Sequence, residues 1–264
     1  MNKVLFSIVT PCFNSEDTIE RTIKSILQQK TENYEYIIVD GASTDHTLDI
    51  IKKYEPYFDG KMRWYSEPDK GIYDAFNKGV NYSKGIYCWN VNSDDYLEPD
   101  ALSFLANLIH KYNSSELPVI SGSLNFFDED TGRILYVEKL NEVRAKRAFH
   151  LDQTCVTHPA TIVPKYVYDK YGTFDSSYKL LGDTEWAHRV YASGTPFLYV
   201  DKVLTNMSNA GLTGNLGWKR FKLSHHDRKK YFKTFYKNPI ERYARFLLWD
   251  LLFLRGVIKS KFKK

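Results

Sequence analysis

The sequence predicts an α/β fold: a mostly parallel, Rossmann-like sheet with helices on both faces, followed by a basic helical extension. Three observations carry that prediction. Short apolar, β-rich runs alternate with segments of helical apolar spacing over about the first 110 residues. Polar, turn-forming residues stand directly after each of those runs. The charge is also divided: residues 216–264 hold 15 Lys and Arg against 3 Asp and Glu, a surplus of 12, so a net charge of +5 leaves −7 on residues 1–215.

The elements follow in order. Val4–Thr10 is an apolar run without helical period, hence a buried strand. Pro11-Cys12-Phe13-Asn14 breaks it. Ser15 stands where a helix cap would, with Glu16 and Asp17 in the first turn and Ile19, Ile23, Ile26 and Leu27 at helical spacing. Tyr34–Val39 is a second strand ending on Asp40. Residues 41–45 are turn chemistry before a helix bearing Leu48, Ile51 and Tyr54. Arg63–Ser66 is a third strand and Gly71–Val80 a helix. Ile86–Val91 is a fourth strand, running into Asn92-Ser93-Asp94-Asp95, and Pro99 opens a helix with Leu102, Leu105 and Ile109.

The second half changes rhythm. Val119–Glu138 predicts strands around a turn at Asp130-Thr131-Gly132. Asn141–Asp152 is charged and expected as a mobile loop. Thr157–Val163 predicts a strand ended by Pro164, Gly182–Ser193 a helix and Phe197–Val203 a strand. Basic helices follow Gly217, interrupted at Asn238-Pro239. The expected organisation is one body over 1–215, with halves at about 1–115 and 116–215, and an extension over 216–264.

A chain of 264 residues is long enough to build its own core without staples. Cys12, Cys88 and Cys155 are odd in number, far apart and outside any CxxC pair. They predict neither a disulfide framework nor a zinc site, and they fit a reducing compartment. The N-terminus runs straight into an apolar strand, unlike a secretory leader, and no apolar run reaches the ~20 residues of a spanning helix. A cytoplasmic location is therefore expected.

In open α/β sheets ligands bind at the carboxyl ends of the strands. Four such ends are chemically loaded: Pro11–Asn14, Asp40–Asp45, Glu67–Lys70 and Asn92–Asp95. An acidic motif at a strand end suits a phosphate-bound Mg²⁺ or Mn²⁺, which takes only one or two protein carboxylates. Taken alone, Asp94 and Asp95 equally suit a cap on the helix near Pro99.

Read together, Val9-Thr10-Pro11-Cys12-Phe13-Asn14, Val39-Asp40-Gly41-Ala42-Ser43-Thr44-Asp45, the run from Glu67 to Gly79 and Asn92-Ser93-Asp94-Asp95 resemble the inverting family-2 glycosyltransferases of the GT-A fold, of the bacterial surface-polysaccharide type. The resemblance covers about residues 4–205. It implies a nucleotide-sugar donor, UDP-sugar by default, a saccharide or lipid-linked saccharide acceptor, and a divalent cation. It also implies roles for individual residues. Thr10, Pro11 and Phe13 would touch the nucleoside, Asp40 the base, and Lys70 the nucleotide, with Asn77 supporting that pocket. Asn92 stands where the family's motif has Asp and can bond a ribose hydroxyl beside Ser93. The metal would fall on Asp94, with Asp95 as neighbour. Asp183, in Gly182-Asp183-Thr184-Glu185, resembles the family's base, which deprotonates the acceptor. His158 falls where members place an acceptor-side polar residue. Residues 208–213 are expected as a loop over the donor.

The tail run Phe246–Leu254, flanked by Arg242, Arg245 and Arg255, suits a helix lying on an anionic membrane surface, or a helix packed on the core with a basic face outward. A peripheral position on the cytoplasmic face follows from the first. Other classes lack their motifs: there is no GxGxxG after the first strand, no phosphate loop, and no nucleic-acid recognition motif beside the acidic body. A degenerate family member acting as a binding scaffold is the alternative to an enzyme. The joint presence of Asp40, Asp94 and Asp183 weighs against it.

Overall fold

The computed structural model describes residues 4–112, 116–210 and 218–261, with side chains left out at 218–220 and 252–261. Strands β1 (Phe6–Cys12), β2 (Tyr34–Asp40), β3 (Met62–Ser66) and β4 (Tyr87–Asn90) alternate with helices α1 (Ile19–Leu27), α2 (Thr47–Tyr54) and α3 (Ile72–Tyr82). A short β5 (Tyr96–Leu97) and α4 (Ala101–Lys111) complete this half. The second half holds β6 (Val119–Phe127), β7 (Ile134–Glu138), α5 (Glu142–His150), β8 (Thr161–Pro164), α6 (Lys165–Tyr171), α7 (Gly182–Ala192) and β9 (Phe197–Ser208). Helices α8 (Trp218–Phe235) and α9 (Pro239–Lys261) close the chain.

One nine-stranded sheet runs in the order β3-β2-β1-β4-β8-β6-β9-β5, with β7 added on β6. The run β3-β2-β1-β4 is parallel throughout, and β6 also pairs with β9 in parallel. Beyond β4 the pairing is mixed, because β8 runs antiparallel to both β4 and β6. All residues of β1 and β2 are buried, as expected of parallel strands covered on both faces. On one face lie Ile19, Ile23 and Ile26 of α1 with Leu102 and Leu105 of α4; on the other lie Phe76 of α3, Val167 of α6 and Trp186 of α7.

Three local expectations are corrected. Asn141–Asp152 is not a loop: the Asn141 side chain accepts the Arg144 N–H (2.9 Å), capping α5, whose charges point to water while Ala145 alone is buried. Ser15 is not the cap of α1. Thr18 occupies that position, and Ser15 supplies the carbonyl that the Thr18 and Ile19 amides reach. Asp94 and Asp95 do not cap α4, since β5 intervenes and Asp100 is the capping residue.

The tail is also less separate than expected. Asp227, Arg228, Tyr231 and Phe232 of α8 are buried, the last two in the same cluster as Trp186 and Ala187 of α7. Asp152 joins it, accepting from Arg245 Nη1 (2.8 Å) and the Tyr236 hydroxyl (2.5 Å). His188 donates through Nε2 to the Gln153 carbonyl (2.7 Å), so its Nδ1 accepts from the Tyr231 hydroxyl.

Gly79 lets α3 lie directly on β1: a Cβ there would stand 2.1 Å from Val9 Cγ1. Val9 is wholly buried and has nowhere to move. Gly79→Ala is therefore expected to cost about 1–3 kcal/mol of stability, read as a lowered urea midpoint.

Candidate active site

In the strand order 3-2-1-4 the direction of winding reverses between β1 and β4, which opens a crevice at their carboxyl ends. A cavity of about 590 Å³ lies there, within the size range of small-molecule sites. Pro11–Ser15 form one wall. Asn92–Asp95, Tyr73, His158, Lys179 and Asp183 line the cavity as well.

The loop after β4 is bonded from several elements. Ser15 and Ser93 share a hydrogen bond between their hydroxyls (2.9 Å). Thr22 Oγ1 reaches the carbonyls of Ser93 (2.9 Å) and Asp95 (2.6 Å). Arg21 donates to the Asp94 carbonyl (2.7 Å) and is itself fixed by a two-pronged pair with Glu129. Asp95 is 1% exposed, and both its oxygens are engaged, by Asn92 Nδ2 (3.0 Å) and the Ser208 N–H (3.2 Å). Asp95 thus ties the loop to the end of β9 while lining the cavity beside Asp94.

The donor set fits a divalent cation. Asn92 Oδ1 is buried with no hydrogen-bond partner among the described residues, an oxygen suited to a donor or a cation. Asp94 lines the cavity, and burial is the main cause that raises its carboxyl above the ordinary value, with Glu129 adding to it. Burial, then the Asp94 charge, raises Asp95 further. A cation beside Asp94 would offset that penalty. No cluster of three or more His, Cys, Asp or Glu stands at metal-binding spacing among the described residues, so any cation here would share its ligands with phosphate and water.

Asp183 stands at the second position of α7, where the helix N-terminus favours a carboxylate. The Tyr73 hydroxyl (3.3 Å) and the Thr184 N–H (2.7 Å) both donate to its Oδ1. Burial, then Asp183, holds the Tyr73 phenol well above its ordinary value, so it stays a donor. Gly182 makes this approach possible: a Cβ there would meet the Tyr73 ring at 2.8 Å. His158 also lines the cavity, packed edge-on against Phe76 and Phe174, and burial lowers its imidazole below the ordinary value.

Of the residues expected from sequence, Pro11, Phe13, Asn92, Ser93, Asp94, Asp95 and Asp183 line the cavity. Phe13 is 61% exposed, an aromatic face open at the rim. Four others stand behind it. Thr10 is buried and accepts from the Tyr36 hydroxyl (3.2 Å). Asp40 is fully buried and accepts from Ser43 N–H (3.0 Å), Ser43 Oγ (2.5 Å) and Ser66 Oγ (2.6 Å), so here it shapes the turn after β2. Lys70 is exposed and off the lining; among the described residues Lys179, not foreseen, is the Lys or Arg that lines the cavity. Asn77 bonds both the Phe174 carbonyl (2.8 Å) and N–H (2.9 Å), a clamp rather than a wall. Met207, Ser208 and Ala210 line the cavity as the expected loop would, while its residues 211–213 lie outside the described residues. Tyr73 and Asp227 carry no sequence signal for their contacts.

Asn77→Ala would leave two Phe174 backbone groups without partners. It is expected to cost about 1–3 kcal/mol of stability while leaving nucleoside diphosphate affinity unchanged, measured by urea unfolding and calorimetry.

Residues 7–172 match the model of Glycosyl transferase family 2. The match ends before Asp183. A PGL/p-HBAD biosynthesis glycosyltransferase of Mycobacterium tuberculosis is 28% identical over 197 residues, 72% of this chain and 70% of that protein. The hyaluronan synthase of Pasteurella multocida is 40% identical over 103 residues, 39% of this chain and 10% of that protein. Among solved structures, S. aureus TarS 1–349 with UDP-GlcNAc has a TM-score of 0.68 at 18% identity, covering 91% of this chain and 69% of that one. The chain spans 41% of the longer TarS structure. The mannosyltransferase PcManGT of Pyrobaculum calidifontis, with GDP-Man and Mn²⁺, has a TM-score of 0.66 at 15% identity, covering 97% and 74%. These structures are similar in fold. With the family match over more than half its length, this chain belongs to glycosyl transferase family 2 and is a GT-A glycosyltransferase.

Proposed function

We propose that the chain moves a sugar from a nucleoside-diphosphate-sugar, a UDP-sugar first, to a hydroxyl of a saccharide or lipid-linked saccharide, inverting the anomeric carbon. The observation that carries this is the opening of Asp94 and Asp183, from β4 and α7, onto one cavity at the β1/β4 crevice. The UDP-GlcNAc in TarS and the GDP-Man and Mn²⁺ in PcManGT support the donor class.

Phe13 offers a stacking face to the nucleoside, and Pro11 and Ser93 line its place. Asn92 Oδ1 accepts from a ribose hydroxyl. Asp94 would hold Mg²⁺ or Mn²⁺, which supplies Lewis-acid charge to the diphosphate. Lys179 adds a fixed positive charge on the same cavity. All three bonds to Asp183 among the described residues, from the Tyr73 hydroxyl and from the Thr184 N–H and hydroxyl, fall on Oδ1, which leaves Oδ2 for the acceptor hydroxyl. Asp183 takes that proton as the hydroxyl oxygen bonds the anomeric carbon. The bond from that carbon to the diphosphate oxygen breaks, and its electron pair leaves with the nucleoside diphosphate. One base suffices for direct displacement.

The same reading sets the tail against an anionic membrane carrying a lipid-linked acceptor, on the cytoplasmic face. Ile240, Tyr243, Leu247, Leu248 and Leu251 are exposed at helical spacing along α9. Phe246 and Trp249 turn inward to the second core. No described helix is long and apolar enough to cross a membrane. An apolar stripe within a segment carrying 12 surplus positive charges complements anionic lipid. Arg255 and the final lysines lie where side chains are not described.

Two experiments test this reading. Asp94→Ala is expected to abolish Mn²⁺-dependent UDP binding. Asp183→Asn should keep that binding and lose about 10²-fold or more in transfer. Because burial raises Asp94, protons compete with metal, so Mn²⁺ affinity should fall as pH is lowered through that raised value. Unchanged UDP affinity in Asp94→Ala contradicts the metal site, and weakened donor binding in Asp183→Asn contradicts the base. In flotation, the chain should bind phosphatidylglycerol vesicles, not phosphatidylcholine, and release in about 0.5 M salt. Leu247→Glu with Leu248→Glu should abolish that binding; equal recovery with both vesicle types contradicts the docking.

A further inference from the structure

The geometry assigns Asp227 of α8 the role of positioning residue for Asp183, an inference that rests on the base assignment proposed above. Asp227 lies beyond the family match and is fully buried. Its Oδ2 accepts three consecutive backbone N–H groups: Lys179 (2.9 Å), Leu180 (2.7 Å) and Leu181 (3.1 Å). These are the last three residues before α7, whose capping position, Leu181, has no side-chain cap of its own. A carboxylate from another helix therefore supplies what the sequence next to α7 does not.

The placement bears on chemistry as well as stability. Lys179 and Leu180 line the cavity, and Asp183 follows Leu181 by two residues. The only residue between them is Gly182, against which the Tyr73 ring packs while its hydroxyl bonds Asp183. A shift of residues 179–181 would carry Asp183 away from Tyr73 and from the acceptor side. The segment is held along its length by the same helix, since Lys230 pairs with Asp175 and Ser177 and lies over the Tyr178 ring (4.3 Å). A buried carboxylate that lost its three donors would stand uncompensated, so the segment and α8 move together or not at all. A base fixed in this way is oriented before the acceptor arrives.

Asp227→Ala and Asp227→Asn test this in the full chain. The readouts are UDP release from UDP-GlcNAc with Mn²⁺, using p-nitrophenyl glycosides and water as acceptors, and hydrogen exchange at the Lys179, Leu180 and Leu181 amides. Asp227→Ala is expected to lose protection at those amides and to lower kcat about 10-fold or more. KM for UDP-GlcNAc should stay within about twofold. Asp227→Asn keeps an acceptor oxygen in the same volume and should restore both protection and most of kcat. A folded Asp227→Ala variant with protected amides, with unchanged kcat, or with its loss carried by KM overturns the inference. If the alanine variant does not fold, the asparagine variant decides: lost protection with wild-type kcat overturns it, and the two falling or holding together supports it. Transfer that survives Asp183→Asn contradicts the base assignment instead. Transfer lost in Asp183→Asn but untouched in Asp227→Ala contradicts only the positioning.

Discussion

The loop after β4 is held by bonds from α1, from the start of α1's approach and from the end of β9, and the place of Asp94 depends on them. Thr22 and Arg21 take its carbonyls, Ser15 meets Ser93, and Asp95 accepts from Ser208. Five hydrogen bonds from four residues thus converge on Ser93, Asp94 and Asp95. The donors that Asp95 gathers, Asn92 Nδ2 and the Ser208 N–H, offset part of the cost of its burial. Asp94 lines the cavity beside it, and burial raises its carboxyl. On the proposed reading two adjacent aspartates divide the work: Asp95 fixes the loop, and Asp94 takes the ligand.

The acceptor side is held by a different set of contacts. Asp183 belongs to α7, but α3 supplies Tyr73, the Asn77 clamp fixes Phe174, and α8 supplies Asp227. The proposed donor side lies within the family match, whereas the proposed base, Asp183, and its support extend past it. The C-terminal helices therefore join the core packed around α7, while α9 turns an apolar stripe to solvent.

Much of the first half was legible in the sequence because parallel strands leave strong marks. Apolar runs such as Tyr34–Asp40 are buried on both faces, and the polar residues at their ends have no other place to go. Pro11, Phe13, Asn92, Ser93, Asp94 and Asp183 line the cavity as their positions at strand and helix ends implied. Asp40, Lys70 and Asn77 were harder to place, since a strand end or helix turn fixes a residue's neighbourhood but not which way its side chain bonds. Lys179 and Asp227 were illegible for a further reason. Their roles arise from contacts such as the 48-residue separation between Lys179 and Asp227, and no local pattern encodes a partner so far along the chain. The helix over Glu142–His150 was missed because its charges all face water, which removes the apolar period that marks other helices.

The account turns on whether Asp94 and Asp183 flank one donor in the β1/β4 crevice. A crystal structure of the chain with UDP-GlcNAc and Mn²⁺, with the anomalous signal of manganese recorded, tests this most directly. The expected result is a manganese peak on the Asp94 carboxylate bridging to the diphosphate, with uracil against Phe13 and the sugar turned toward Asp183. A manganese peak away from Asp94, or a nucleotide bound outside that crevice, would contradict the account.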